Sequence, residues 1–194
     1  MSYIVSFYFD RNIIQMQTLS FRELLTLYNP TDTAECQYKN IIPNFLNQYS
    51  DAFERSLEVG HITASAWLVN KDNTQALLMH HKKLDMWVQL GGHCDGDTDA
   101  LAVAIKEAQE ESGIMGIESV HPSIFDIDVH LIPENKKEKA HYHYDIRFLL
   151  RVISDEDYVQ NEESHALAWV DKNKDTLPTQ ERSVTRMFDK WVAL

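Results

Sequence analysis

The sequence predicts an α/β or α+β sandwich, and three features of its hydrophobic pattern indicate this class. From His61 onward, apolar residues recur at every second position, as they do in strands. A long helical pattern follows Gly91-Gly92, and further strand patterns come after it. The chain closes with an amphipathic helical pattern in residues 179–192. Strands interspersed with helices are typical of folds in which helices cover a sheet.

The N-terminal part of the chain is predicted to be a helical extension. We place this extension at residues 1–55 and the main domain at residues 56–194. Ser20 and Glu23 have the spacing of a capping box, in which each residue's side chain binds the other's backbone N–H. Pro43 lies within a second apolar segment and is expected to kink or restart its helix, because proline cannot donate a backbone hydrogen bond.

Six segments of the main domain are predicted to be strands. They are residues 61–69, 75–80, 86–90, 123–132, 141–153 and 166–170. The first alternates strictly, with Ile62, Ala64 and Ala66 on one side. The fourth and fifth flank a charged loop, ENKKEKA, and are predicted to pair as a long hairpin.

Charge and composition narrow the classes of partner and location. The formal net charge is -12, from 18 basic and 30 acidic residues, so a nucleic-acid polymer is not expected as a partner. No apolar run reaches the length of a membrane span. Two cysteines, Cys36 and Cys94, make no disulfide framework and indicate a reducing compartment, so we expect a cytoplasmic protein. A small phosphorylated substrate is compatible with this charge if metal cations neutralise its site.

The helical pattern after Gly91-Gly92 carries three clustered glutamates. Glu107, Glu110 and Glu111 lie at positions i, i+3 and i+4, so they meet on one side of the helix. Like charges at this spacing destabilise a helix by roughly 0.2–0.5 kcal/mol per pair. A hard divalent cation such as Mg²⁺ would reverse that effect, because it binds carboxylates together with water and phosphate oxygens. The cluster is therefore either a cation site or a solvated acidic face.

Residues at both ends of this helical pattern have the character of caps. Asp97 or Thr98 is expected to cap the helix N-terminus with a side-chain oxygen. Gly113 is expected to adopt the left-handed conformation just past the C-terminus, where glycine is preferred.

The segment resembles the Nudix box, a glycine followed after five residues by glutamate and after seven more by Arg-Glu-aliphatic-x-Glu-Glu-x-Gly-aliphatic. The matching positions are Gly92, Glu107, Glu110, Glu111, Gly113 and Ile114. On these residues the chain is identified as a member of the Nudix hydrolase superfamily. It also looks like a bacterial subgroup with an N-terminal helical extension and a GGHCDGD loop. The resemblance implies a Nudix-type α/β/α sandwich with a mixed sheet over residues 57–194.

The resemblance also implies a metal site and a reaction. It makes Mg²⁺ or Mn²⁺ the cofactor, with these ligands: the carboxylates of Glu107, Glu110 and Glu111 and the carbonyl of Gly91. Glu163, or secondly Glu162, is expected to act as a further ligand or general base. The catalytic residues are thus Glu110, Glu107 and Glu163. The implied reaction is attack of a metal-activated water on a diphosphate linkage in a nucleoside diphosphate joined to another moiety. A homodimer is expected on the same ground.

Two positions of the box depart from the family pattern. The family's first glutamate falls on Thr98, and its arginine falls on Lys106. Lys106, Gly92 and Gly113 are expected to support the site structurally. Lysine lacks the two-pronged guanidinium of arginine, and Lys106 is expected to pair with a neighbouring acid such as Asp97 or Asp99.

These departures leave two other functions open. One is a catalytically weak nucleotide-binding or regulatory Nudix module, which Thr98 and Lys106 would favour. The other is an enzyme similar to isopentenyl-diphosphate isomerases, which use a catalytic cysteine; Cys94 follows the Gly-Gly turn closely enough to suggest it.

Histidines cluster near the same region of the predicted sheet. In HYHYD, the period of a strand puts His141, His143 and Asp145 on one face, which Arg147 continues. His93 follows the Gly-Gly turn. We expect these five residues to contact substrate phosphate or sugar. Two alternatives stay open: an additional metal site made by His141, His143 and Asp145, or a set of hydrogen-bonded strand residues.

Overall fold

The structure, a computed structural model, describes residues 19–136 and 138–194. Its helices are α1 (Phe21–Leu27), α2 (Thr33–Gln48), α3 (Ala100–Ser112) and α4 (Arg182–Val192), with a 3-10 turn at Lys174–Thr176. Its strands are β1 (Gly60–Val69), β2 (Gln75–His81), β3 (Met86–Val88), β4 (Leu90–His93), β5 (Ile117–Ser119), β6 (Asp126–Ile132), β7 (His141–Val152) and β8 (Ser164–Asp171). Within the described residues, no helix is long and apolar enough to cross a membrane.

Strand β1 lies at the centre of a mixed sheet. It pairs in parallel with β7 along its whole length, from Gly60 opposite Tyr142 to Val69 opposite Arg151. Its other edge is shared by two antiparallel partners, β4 at the start and β2 at the end. Strand β6 is antiparallel to β7, and β8 and β3 are antiparallel to β2. The predicted mixed sheet and the predicted β6–β7 hairpin are therefore confirmed.

The prediction of a single strand over residues 86–90 is wrong. The segment divides at Gln89: β3 pairs with β2, whereas β4 pairs with β1. Gly91 and Gly92 consequently lie within a strand, opposite Ser65 and Ala64, and do not simply end one. The short strand β5 was also not predicted, because three residues carry too little periodicity to show it.

Helices cover both faces of the sheet. One apolar cluster joins the sheet to α1, α2 and α3, and includes Ile62, Ala64, Phe148, Val103 and Phe45. A second joins the opposite face to α4, and includes Trp67, Leu149, Met187, Phe188 and Trp191. All ten residues of β1 are buried, so its polar positions lie in the interior too. This arrangement is the predicted α/β sandwich.

The described part of the N-terminal extension is helical, as predicted. The predicted Ser20–Glu23 capping box is present at α1. Helix α2 continues through Pro43 as one helix, so it does not restart there, which was one of the two outcomes expected for this proline. Phe45 of α2 stacks on Tyr144 of β7, with ring centroids 3.9 Å apart. The extension thus shares the core of the sheet. Residues 1–18 lie outside the described residues, and the division at residue 55 stays a prediction.

A buried ionic network, formed by four acids and three bases, ties the sheet to α2 and α4. Its members are Glu35 of α2, Asp126 and Asp128 of β6, Asp145 and Arg147 of β7, and Arg186 and Lys190 of α4. Arg186 binds Asp126 with two nitrogens, each 2.8 Å from a carboxylate oxygen. Because its acids have no access to water, the network holds the layers in one arrangement only when every charge is paired.

Acid is expected to weaken this network through Glu35. Burial alone would raise the pKa of Glu35, but hydrogen bonds from Lys190, Tyr28 and Thr31 outweigh it and lower the pKa to about 2. A lowered acid pKa contributes stability that is complete above the unfolded value of 4.5 and is lost as the pH falls through about 2. Between pH 5 and pH 2.5, this carboxylate should cost the wild type about 2–3 kcal/mol of unfolding free energy. Urea unfolding of wild type and Glu35→Gln across that range checks this; identical pH dependences would contradict it.

Candidate functional site

Helix α3 begins later than the sequence suggested and ends where it predicted. Its N-cap is Asp99, whose side chain accepts a hydrogen bond from the Ala102 N–H at 3.0 Å. The expectation of Asp97 or Thr98 as cap is therefore wrong; Asp97 instead accepts from the Asp99 N–H at 2.9 Å and shapes the preceding turn. Gly113 ends the helix in the left-handed conformation, with φ 74°, as predicted.

Glu111 links helix α3 to strand β4, which contains Gly91 and Gly92. Its side chain is buried and accepts a hydrogen bond from the Gly91 N–H at 2.7 Å. Burial raises the pKa of Glu111 to about 8; the Gly91 N–H opposes this shift, while the charges of Glu107, Glu163 and Glu110 add to it. A carboxyl group held this way is close to its titration point at neutral pH, so a nearby cation would readily ionise it.

Glu107 and Glu110 flank one ammonium group. The Lys106 Nζ lies 3.5 Å from Glu107 Oε1 and 3.6 Å from Glu110 Oε2. The expected pairing of Lys106 with Asp97 or Asp99 is thus wrong, because the helix turns Lys106 toward its own C-terminal neighbours. Burial raises the pKa of Glu107, and the charge of Lys106 opposes this. Glu110 is mostly exposed and free to rotate.

Gly91 and Gly92 of β4 stand at positions where a β-carbon would collide with a neighbouring side chain. A methyl group on Gly92 would lie 2.4 Å from Glu107 Oε2, inside any allowed contact. A methyl group on Gly91 would lie 2.4 Å from Ser65 Oγ, and the Gly91 φ of 154° is one that other residues rarely adopt. Gly92 therefore lets the Glu107 carboxylate rest directly against the strand, which agrees with the supporting role predicted for it.

Glu163 lies close enough to act on these glutamates. Its charge raises the pKa of both Glu107 and Glu111. Its backbone is fixed by the Lys82 N–H, which donates to the Glu163 carbonyl at 2.9 Å, immediately before β8. The nearby Glu162 carbonyl accepts from Lys82 Nζ at 2.7 Å. The fold thus brings together the four glutamates that the sequence singled out from two distant segments.

These residues fit a hard divalent cation in the chemistry of their donors. All are oxygens, and burial raises the pKa of Glu107 and Glu111, with the charges of neighbouring glutamates adding to both shifts. Within the described chain their oxygens do not converge as closely as the ligand atoms of a histidine group do. Binding a cation therefore requires side-chain rotation, which the exposed Glu110 allows.

The histidines singled out in the sequence lie together around His61, which begins the first predicted strand. The ring centroids of His93 and His143 are 5.2 Å apart, as are those of His141 and His143. His61 of β1 lies among them, 5.0 Å from His93, 5.1 Å from His141 and 4.9 Å from His143. The parallel register that sets His61 opposite His143 has no local signal in the sequence, so its central position in the group could not be predicted.

Asp145 and Arg147 belong to the interior and not to an open pocket. The Asp145 carboxylate accepts hydrogen bonds from Ser65 Oγ at 2.7 Å, Thr63 Oγ1 at 3.0 Å and Arg147 Nε at 2.7 Å. Arg147 is only 1% exposed and also binds Asp126. This geometry opposes the predicted substrate contacts of both residues, and it opposes Asp145 as a metal ligand beside His141 and His143.

Comparisons with known proteins identify the architecture. The profile of the NUDIX domain matches residues 60–192. An Ap4A hydrolase from C. elegans is similar in structure, with TM-score 0.54 and 17% identity over 68% of this chain and 95% of that one. A MutT NUDIX hydrolase from Burkholderia pseudomallei gives TM-score 0.53 and 19% identity over 68% and 97%. The E. coli dihydroneopterin triphosphate pyrophosphohydrolase gives 0.52 and 15% over 68% and 94%. No curated protein matches the sequence.

Proposed function

Because the chain belongs to the NUDIX domain family, we propose that it is a metal-dependent hydrolase of a diphosphate linkage. Its substrate would be a nucleoside diphosphate joined to another moiety. The observation that carries this proposal is the group of glutamates at the C-terminal end of α3. There Glu111 accepts a hydrogen bond from the Gly91 N–H of β4, and burial together with the charges of Glu110 and Glu163 raises the pKa of Glu107 and Glu111. Repulsion between these carboxylates destabilises the end of the helix, and binding of Mg²⁺ or Mn²⁺ together with phosphate would offset it.

The glutamates and the Gly91 carbonyl have distinct roles in the proposed hydrolysis. Glu107, Glu110, Glu111 and the Gly91 carbonyl would hold the cation, which when bound acidifies water and neutralises the diphosphate charge. Glu111 fixes α3 to β4 through the Gly91 N–H, so the helix backbone that carries these ligands keeps its position while Glu110 turns toward the cation. Glu163 takes the proton of the attacking water as general base. The water oxygen bonds to phosphorus while the bridging P–O bond breaks, and the leaving phosphate departs with the electron pair.

Without a metal ion between its rings, the histidine face would supply neutral donors for the rest of the substrate. Burial lowers the pKa of His93, and it lowers that of His143 to about 2, so both imidazoles are neutral and can donate one N–H each. His141 lies beside them. We propose to compare four substrate classes: ADP-ribose, dinucleoside polyphosphates, sugar nucleotides and nucleoside triphosphates. The C. elegans protein is named for Ap4A, a dinucleoside polyphosphate, and the E. coli protein for dihydroneopterin triphosphate; both compounds contain phosphoanhydride bonds.

A panel of these four classes tests the proposal. Purified protein is incubated with each compound in Mg²⁺, in Mn²⁺ or in EDTA, and the phosphate monoesters formed are separated by chromatography. We expect cleavage of one class, with no product in EDTA. Tight binding of a compound without cleavage in either metal would contradict hydrolysis and favour the nucleotide-binding module.

Substitution of Gly92 should disturb catalysis through Glu107. The methyl group of Gly92→Ala would displace the Glu107 carboxylate, and a displacement of about 1 Å costs about 100-fold in rate. We expect that loss in kcat with little change in the melting temperature. In a Glu107→Ala background the same substitution should have no further effect, since the clashing carboxylate is gone. An equal loss in both backgrounds would show that Gly92 acts independently of Glu107.

The geometry of Cys94 opposes the isomerase alternative. Its thiol is buried, and burial raises its pKa to about 12, with nearby acids such as Asp145 adding to the shift. A catalytic cysteine needs the reverse, an accessible thiolate with a lowered pKa. Cys36 and Cys94 are both free, which supports the cytoplasmic location that we infer. A homodimer, and the lack of nucleic-acid and membrane partners, stay predictions that sedimentation and binding assays can check.

A further inference from the structure

Three histidines from three neighbouring strands hold ring nitrogens close together. His61 of β1, His93 of β4 and His143 of β7 each offer a nitrogen, and these atoms all lie within 4.8 Å of one another. No other group of three metal-binding side chains in the described chain converges in this way. Imidazole nitrogens are the preferred protein ligands of Zn²⁺ and related transition metals, whereas Mg²⁺ prefers oxygen.

The ring of His61 is buried without a well-formed hydrogen bond. The residue is 3% exposed, and no protein group among the described residues meets the geometry of a hydrogen bond with either ring nitrogen. Only a weaker interaction with the Leu57 backbone acts on the ring. Burying a polar group without a partner costs about 1–3 kcal/mol, so such groups are rare unless a ligand satisfies them. The nitrogen that faces His93 and His143 is therefore best explained by an ion between the rings.

A fourth histidine is oriented as a ligand would be. The His141 Nδ1 lies 2.8 Å from the Lys139 carbonyl, the kind of backbone contact that usually fixes the outer nitrogen of a metal-bound histidine. Its Nε2 lies 3.3 Å from the Nε2 of His143. Two nitrogens bound tetrahedrally to zinc at about 2.0–2.1 Å are separated by about 3.3 Å. His141 lies outside the group of three whose nitrogens all converge, so it would complete a four-nitrogen site only after a turn of its ring away from its hydrogen bond with His143.

We propose that His61, His93, His143 and His141 bind a Zn²⁺ ion, or a similar transition metal, at a site separate from the glutamates. Adjacent residues of a strand face opposite ways, so His93 points away from the side on which Gly92 meets Glu107. The bound ion would clamp β1, β4 and β7 together and hold the Gly91-Gly92 backbone in place. This site does not depend on the proposed hydrolysis.

Metal titration of the tag-free, chelator-treated full chain tests the proposal. Co²⁺ is added first, because a tetrahedral nitrogen site gives it intense visible absorption. Zn²⁺ affinity is then measured by competition with a chromophoric chelator, with millimolar Mg²⁺ present throughout. The variants are His93→Asn and His143→Asn, both partly exposed, with exposed His121→Asn and the glutamate variant Glu110→Gln as controls. Circular dichroism confirms the fold of each.

We expect one Zn²⁺ per wild-type chain and the visible Co²⁺ spectrum. Each histidine variant should weaken Zn²⁺ binding by at least about 100-fold, because even loss of an outer contact to a metal ligand costs about 10–100-fold. His121→Asn and Glu110→Gln should bind as the wild type does. A wild type without the Co²⁺ spectrum would overturn the proposal. So would Zn²⁺ binding that Glu110→Gln abolishes and the histidine variants leave unchanged, since the ion would then sit at the glutamates.

Discussion

Replacing Glu110 by glutamine is expected to lower kcat for diphosphate hydrolysis by on the order of 10²–10³-fold, the usual effect of removing one preorganised electrostatic group. Glutamine keeps the size of the side chain but removes the charge that would bind the cation. Glu110 is the most exposed of the α3 glutamates, with 59% of its side chain accessible, so the fold should not depend on it. The rate is measured at saturating substrate in Mg²⁺, with unfolding followed in parallel.

Glu134→Gln is the matched control, because it removes one negative charge from an exposed position outside α3. It should leave kcat unchanged. That result would show that Glu110→Gln acts through its position in the site and not by changing the net charge of -12. Equal rates in wild type and Glu110→Gln would remove Glu110 from the catalytic site. The Nudix-box assignment would then rest on Glu107 and Glu111 alone.

Replacing Arg147 by methionine is expected to lower the free energy of unfolding by about 3–5 kcal/mol, the cost of removing one partner from a buried ion pair. Arg147 binds Asp145 at 2.7 Å and Asp126 at 3.0 Å, and both acids are buried. Methionine fills much of the space but leaves those carboxylates short of positive charge. Urea unfolding at neutral pH measures the loss.

Arg182→Met is the control for this change, because Arg182 lies 76% exposed in a weak 3.5 Å pair with Asp32. It should cost less than about 1 kcal/mol. The experiment also decides between two roles for Arg147. If the residue bound substrate, as the sequence suggested, Arg147→Met would raise KM and leave stability near that of the wild type; that result would contradict the structural role.

Local signals in the sequence located most of the elements and the cluster of glutamates. The spacing of Glu107, Glu110 and Glu111, together with Gly92 and Gly113, identified the helix, its end and its family before any coordinates. Period-two alternation located most strands, because successive side chains of a strand point to opposite faces of the sheet. Glu163 was selected only because a family resemblance pointed to its loop, and its role stays a prediction; its charge acts on Glu111.

What the sequence could not show depends on contacts between distant segments. The parallel register of β1 and β7 places His61 beside His143, and nothing local encodes register. The same pairing buries Asp145 and Arg147, which alternation alone presented as an open polar face. Their partners Asp126 and Arg186 come from β6 and α4, so only the assembled layers reveal that these charges are structural.

The central claim, that cation-bound glutamates direct water at a diphosphate, is tested most directly by product analysis in water enriched in heavy oxygen. Each panel compound is incubated with the protein and Mg²⁺, and mass spectrometry locates the label. The structure predicts one labelled oxygen in one phosphate product of a single substrate class, with none formed in EDTA or by Glu110→Gln. Measurable binding of a nucleotide, with no labelled product from any compound at stoichiometric enzyme, would contradict the claim and identify the protein as a binding module.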